Sequence, residues 1–362
     1  MKRVLLVGLL IGLSFGPNLR AAEREPVLCL KGLDPVALAG GKETPGVGEY
    51  SSVRGAFKYQ FVSAENKKKF DAAPEEFGAQ NGGSCGATGP LTALGDPTRF
   101  SVKDGLIYLF DNESCQKMFA QAPDKFIELV DRRPTVTPEE AQAGMKLIER
   151  ALGAMGGAAK VDAVKSIETR YVLKRNPDNR DEDSAFSNTV VFPDRFRRDE
   201  RSKAGVSASV VLGSDGFRLQ KDSWWKMEAS ERAYLARIFL REPLVLLRAR
   251  NRSGFVAASD GKGKLGETEL DFVRVWLDGM TCWLGLDPAT NRILAVRYRG
   301  RVAGMIGTVV KLQSDFRDVE GLSIPFAASL SFDGNPIPGS ERTLEAVTIN
   351  GKVDPTLFQP PK

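Results

Sequence analysis

Ser52-Val53-Arg54-Gly55-Ala56-Phe57-Lys58-Tyr59-Gln60-Phe61 returns 49 residues later as Ser101-Val102-Lys103-Asp104-Gly105-Leu106-Ile107-Tyr108-Leu109-Phe110. The offset persists: Phe70 meets Phe119, Pro74 meets Pro123 and Phe77 meets Phe126, and nine of 26 aligned positions are identical. Two copies are too few for a solenoid, which needs several stacked units. The repeat therefore predicts a tandem pair sharing one small core. In each copy an alternation (Phe57, Tyr59, Phe61; Leu106, Tyr108, Phe110) reads as a strand. Ser63 and Asn112 follow as helix N-caps. The helix then turns Phe70 or Phe119 inward, and a proline opens a short turn ending in Phe77 or Phe126.

Asp131-Arg132-Arg133-Pro134-Thr135-Val136 is a charged, proline-punctuated break. Thr137-Pro138-Glu139-Glu140 then supplies an N-cap, a proline at the first helical position and a capping-box glutamate. Met145, Ile148 and Leu152 mark the buried stripe of the helix, which Gly153, Gly156 and Gly157 end. From Glu168 the pattern has period two. Strands are expected at 166–174, 187–199, 206–213, 216–220, 223–228, 253–259, 267–277, 281–286, 292–299, 303–316, 323–332 and 341–349. Turn signals such as Gly213-Ser214-Asp215-Gly216 and Asp333-Gly334-Asn335-Pro336 separate them. Segment 229–249 interrupts with helical spacing (Ala233, Leu235, Ile238, Leu240). The fold class is α+β: a small duplicated domain, then a strongly curved antiparallel β half-barrel with helices in or over its concave face.

The 362 residues suffice for two domains. Residues 1–22 read as a secretory signal: Lys2 and Arg3, an apolar run from Val4 to Phe15, then Ala21-Ala22. That run is short for a membrane span, so no integral membrane segment is expected after its removal, and the location is periplasmic or secreted. The domains are then 1–22, 23–133 and 134–362. Losing Lys2, Arg3 and Arg20 leaves 48 basic against 46 acidic side chains, which gives no argument for nucleic acid. The clusters Arg195, Arg197, Arg198, Arg201 and Arg297, Arg299, Arg301 read as solvated strand faces. The chain has no histidine. This excludes Ser-His-Asp and Cys-His catalysis, His-containing zinc sites and the facial-triad iron site. A non-enzyme is expected.

Of four cysteines, Cys29, Cys85 and Cys115 fall in the duplicated region and Cys282 stands alone. In an exported chain a disulfide is the default, and Cys29–Cys85, Cys29–Cys115 and Cys85–Cys115 all remain open. Three thiolates holding copper(I) or zinc are the alternative; otherwise no cofactor is expected. The Gly82-Gly83-Ser84-Cys85-Gly86 run places Cys85 on a flexible, exposed backbone. Cys282 reads as a small buried apolar residue.

Two resemblances follow. Gly32-Leu33-Asp34-Pro35-Val36-Ala37-Leu38, Tyr59-Gln60-Phe61-Val62-Ser63-Ala64-Glu65-Asn66 and Gly82-Gly83-Ser84-Cys85 resemble a YHS domain over roughly 28–128. Metal-binding relatives of that family carry cysteine where this chain has Ala37, Val62 and Asn66. In the second copy Asp111 replaces the first knuckle cysteine and Cys115 keeps the second. Residues 140–362 resemble periplasmic lipoprotein carriers of the Lol type. The matching pieces are Phe192-Pro193-Asp194-Arg195-Phe196-Arg197, Leu212-Gly213-Ser214-Asp215-Gly216 with Trp224-Trp225, Glu242-Pro243-Leu244-Val245-Leu246-Leu247 and Val353-Asp354-Pro355-Thr356-Leu357-Phe358. That resemblance implies a lipid, acyl chain or lipoprotein as ligand, with Phe196, Trp224, Trp225 and Leu244 near the cavity. The alternatives are a metal or redox module acting through the cysteines, and a scaffold binding an envelope protein partner.

Overall fold

Both copies of the repeated stretch form a hairpin followed by a helix. The computed structural model describes residues 25–127, 130–173, 183–203, 205–220 and 223–359; the expected signal sequence lies outside them. Val47–Arg54 pairs with Phe57–Phe61, and Asp96–Lys103 with Leu106–Phe110. Helices Ala64–Ala72 and Glu113–Gln121 follow. Ser63 Oγ accepts the Asn66 N–H at 3.2 Å and Asn112 Oδ1 accepts the Cys115 N–H at 3.0 Å, as the capping chemistry predicts. The packing is copied too. Phe70 meets Tyr59 and Phe61 at 4.9 and 5.0 Å, and Phe119 meets Tyr108 and Phe110 at 4.8 and 5.2 Å.

The single shared core expected from sequence is instead two clusters. Strand Leu106–Phe110 lies between them, sending Ile107 and Leu109 into the first copy's cluster and Tyr108 and Phe110 into the second's. Side chains alternate across a strand, so one strand serves both clusters.

Among the described residues that follow, thirteen strands lie side by side in one large antiparallel sheet. Strands from Ser166–Leu173 to Ser223–Lys226 form one meander, and strands from Val256–Leu265 to Leu322–Phe332 form another. Strand Arg342–Ile349 is inserted between them. It pairs along most of its length with Ser166–Leu173, but with Leu322–Phe332 only at Ala327–Thr343 and Ala328–Arg342. The expected strand 187–199 is two strands, Ser184–Val191 and Arg195–Ser202, joined by a tight turn at Phe192-Pro193-Asp194. Pro193 has no N–H for the ladder, and the Phe192–Pro193 bond is cis.

Helices Pro138–Met155, Ala229–Leu240 and Pro243–Arg248 pack on the sheet. The long helix Pro138–Met155 starts with the expected capping box: Thr137 N–H donates to Glu140 Oε2 at 2.8 Å, and Glu140 N–H to Thr137 Oγ1 at 3.2 Å. Segment 229–249 breaks into Ala229–Leu240 and Pro243–Arg248. The break falls at Arg241-Glu242, because Pro243 opens a new helix where its missing N–H costs nothing. Leu147, Ile148, Leu235, Leu246 and Leu247 from these helices meet Val273, Leu284 and Val296 of the sheet in the main core.

Gly144 allows the long helix its close approach. A β-carbon there would lie 2.6 Å from the Ala257 carbonyl carbon and the Ala258 nitrogen. Gly144→Val is expected to destabilise the protein by about 2 kcal/mol, and a urea melt with an unchanged midpoint would show that the helix yields freely.

Candidate ligand-binding site

Strand Met305–Val319 carries an inverted pattern. Val309, Lys311 and Gln313 face inward and are nearly fully buried, while Leu312 points outward with 42% of its surface exposed. Lys311 thus enters the buried face of the sheet where alternation would place an apolar side chain. Its Nζ donates to Glu242 Oε2 at 2.8 Å, and Arg342 Nη2 reaches the same carboxylate at 3.2 Å. Glu242 sits at the break between the two shorter helices, so the chain reversal before Pro243 delivers a carboxylate to the two cations.

These residues line a cavity of about 360 Å³ between the sheet and the helices. That is within the usual range for small-molecule sites. Tyr171 and Phe186 stack at 4.9 Å on one wall, with the Arg342 guanidinium 5.2 Å from the Tyr171 ring and Arg198 4.5 Å from that of Phe186. On the opposite wall Arg241 lies 4.2 Å from the Tyr298 ring. The sequence reading of Arg198 and Arg301 as solvated is corrected: both line this cavity. Arg198 lies two residues from the buried Phe196 on the same face of its strand, a register that composition does not reveal, whereas Arg299, two residues before Arg301, is exposed.

About a third of the Glu242 side-chain surface remains open, and Glu242 lines this cavity. Burial works to raise its pKa, but Arg342 and Lys311 outweigh burial and hold the carboxyl down at about 2. Burial pulls Lys311 down to about 8, against the opposing pull of Glu242. Arg342 is raised, because Glu242 more than offsets the cost of its burial.

The duplicated region supplies the roof. Pro90 and Leu91 line the same cavity, and Leu91 packs on the main core. Arg301 anchors that approach by donating to the Phe126 and Gly304 carbonyls, and Arg218 donates to Ser84 Oγ at 2.9 Å and the Thr92 carbonyl at 3.2 Å. Arg218 also lies 3.3 Å from Glu231, both almost fully buried between the two parts of the chain.

A second, apolar cavity of about 70 Å³ lies behind Glu242 and Arg342 and shares both residues with the first. Leu244 lines it, beside Phe239, Val190 and Ile324. Phe196 is buried, stacks on Phe239 at 5.2 Å and faces a separate hollow with Phe192 and Val245. Trp224 and Trp225 stand apart, on the sheet's edge strand. Trp225 packs against the first cluster of the duplicated region, and the Trp224 indole N–H is buried without an acceptor. The structure therefore brings Leu244 and Phe196 to the helix–sheet core and turns Trp225 to the other part of the chain. Sequence reasoning missed Glu242, Lys311 and Arg342. The signal was a lysine and a glutamine on the inward face of a strand whose outward position is leucine.

All four cysteines are free. Cys85 and Cys115 lie together in the second cluster, their thiols within hydrogen-bonding reach, and Cys29 lies in the first cluster beside Tyr59. Cys85 is buried, contrary to its expected exposure: its N–H donates to the Ala93 carbonyl and its neighbour Gly86 to Leu109, which fixes the glycine-rich loop against a strand. Burial pushes the Cys29 thiol up to about 12. No group of three cysteine or carboxylate side chains is placed to hold a metal among the described residues. Cys282 is fully buried, as its strand setting implies, and burial raises it to about 12. Among the described residues no helix is long and apolar enough to cross a membrane.

No family model matches the chain, and no curated protein matches its sequence. Among solved structures, a LolA superfamily protein from Nitrosomonas europaea is similar over 60% of this chain and 97% of its own, at 10% identity and a TM-score of 0.40. A DUF1329 family protein from Desulfovibrio piger is similar over 61% and 97%, at 11% identity and 0.40. A putative outer membrane lipoprotein-sorting protein domain from Vibrio parahaemolyticus is similar over 60% and 97%, at 9% identity and 0.37.

Proposed function

We propose that this protein is an exported, non-enzymatic binding protein whose half-barrel holds a lipid-like ligand, with the head in the roofed cavity and the tail against the helix Pro243–Arg248. The observation that carries this is the pairing of a ligand-sized polar cavity with an apolar one through Glu242 and Arg342. The apolar cavity as it stands has room for about two waters. A tail therefore enters by displacing Leu244 and its helix from the sheet. Export rests on the character of residues 1–22, and the absence of histidine favours binding over catalysis.

A second reading is favoured by the contact of Cys85 with Cys115: a thiol pair that closes to a disulfide when a disulfide donor takes both thiol protons and two electrons. Native mass spectrometry of the protein purified from its own cells separates the readings. An excess of several hundred daltons that vanishes on organic extraction is expected for the lipid reading. A deficit of two hydrogens, restored by reductant, supports the thiol pair. A bare, fully reduced mass would leave a scaffold for an envelope partner.

A further inference from the structure

The cavity wall carries five cationic side chains, Arg198, Arg241, Arg301, Lys311 and Arg342, against two acids, Glu200 and Glu242. Arginine and lysine only donate hydrogen bonds, so a ligand that bonds to them does so through acceptors. Burying a lysine is costly unless it is paired, yet Lys311 is held almost fully buried at the inner end of the cavity. Glu242 serves as its internal counter-ion and is shared with Arg342, one carboxylate between two cations. Charge-assisted bonds to carboxylate or phosphate are the strong ones available to such groups. We infer that the cavity recognises an anionic head group, a carboxylate or a phosphate monoester, carried on the apolar tail. This deepens the binding reading above and rests on it.

The head lies in the space bounded by Lys311, Arg342 and Arg198, on the side of Glu242 that is open. Its own charge completes the pairing that one carboxylate supplies to two cations. The tail leaves past Arg342 and Glu242, since these two residues are common to both cavities. A neutral head of the same size brings no charge to Lys311, Arg342 and Arg198.

The test is calorimetric titration of the full mature chain with three ligands sharing one oleoyl tail: oleate, oleoyl lysophosphatidic acid and neutral monooleoyl glycerol. The two acids are expected to bind at least about tenfold more tightly than the neutral ligand, and a preference between them identifies carboxylate or phosphate as the natural head. Arg198→Ala should reduce that preference, weakening the acids more than the neutral ligand. Glu242→Gln should strengthen the acids alone, because it frees Lys311 and Arg342. Arg198 is only half-buried, so its variant keeps the test decisive if Glu242→Gln does not fold. Equal binding of all three ligands overturns the anionic head and leaves the lipid reading standing. A preference unchanged in both variants places the anion elsewhere and also overturns it. Failure of all three to bind removes the lipid reading itself.

Discussion

Glu242→Gln is expected to destabilise the ligand-free protein by about 3 kcal/mol, the range for breaking a buried ion pair by removing one partner. In a chain of this size that lowers the thermal midpoint by roughly 4 °C. The variant keeps the shape of the helix break but leaves Lys311 and Arg342 facing each other across the cavity. Lys311, already held at about 8, then loses the partner that opposes its burial. Lys311→Met should cost less, because Arg342 still pairs Glu242, and adding it to Glu242→Gln should recover part of the loss. The sign with pH follows from a depressed carboxyl. Glu242 stabilises the fold above the ordinary carboxylate pKa of 4.5, and the contribution is lost as pH falls through about 2. The gap between native protein and variant therefore narrows below pH 4.5. A midpoint unchanged at neutral pH would mean that cavity water screens the three charges.

The second large effect runs the other way with pH. Glu231 is 2% exposed between the duplicated region and the half-barrel, with Arg218, Glu228 and Glu75 as its charged neighbours. Burial pushes its carboxyl up to about 7, and Arg218 offsets only part of this. Glu228 is raised too, again chiefly by burial, with Arg54 opposing and Glu75 adding. A raised acid favours the folded state below its ordinary pKa, and that stability is lost as pH rises through the folded value. The native protein should be more stable at pH 5 than at pH 8, with Glu231 contributing on the order of 3 kcal/mol. Urea melts of the native protein and Glu231→Gln at both pH values check this. The variant should show a flatter profile, since an amide keeps the shape and has no proton to lose. Equal slopes would assign the pH dependence to other groups.

Much of the local structure was legible because short-range chemistry decides it. Ser63, Asn112 and Thr137 cap the helices they were expected to cap. The signals at Gly213-Ser214 and Asp333-Gly334 fall at turns of the sheet, whereas Asp260-Gly261-Lys262-Gly263, which also reads as a turn, lies within strand Val256–Leu265 at a bulge. Phe192-Pro193-Asp194 was read through as strand because the flanking residues alternate on both sides, and the proline was the overlooked signal. The cavity was not legible, since its parts come together from far apart. Glu242 meets Lys311 and Arg342 across 69 and 100 residues, and Arg218 meets Ser84 across 134. Of the four residues that the resemblance to Lol-type carriers put near a cavity, Leu244 and Phe196 lie in the main core while Trp225 packs on the duplicated region; an aromatic strand at a sheet edge gives no sign of which body covers it.

The position of strand Arg342–Ile349 sets an order on the birth of the fold. Both meanders can assemble as the chain leaves the ribosome, each hairpin closing on the one before it. They cannot be joined until residues 342–349 have been made, because that strand alone lies between Ser166–Leu173 and Leu322–Phe332. Until then two sheet edges stand open at once, and open edges recruit other strands. A nascent chain stopped short of Arg342 therefore holds its two most aggregation-prone surfaces bare, although nearly all of its core residues have already been synthesised.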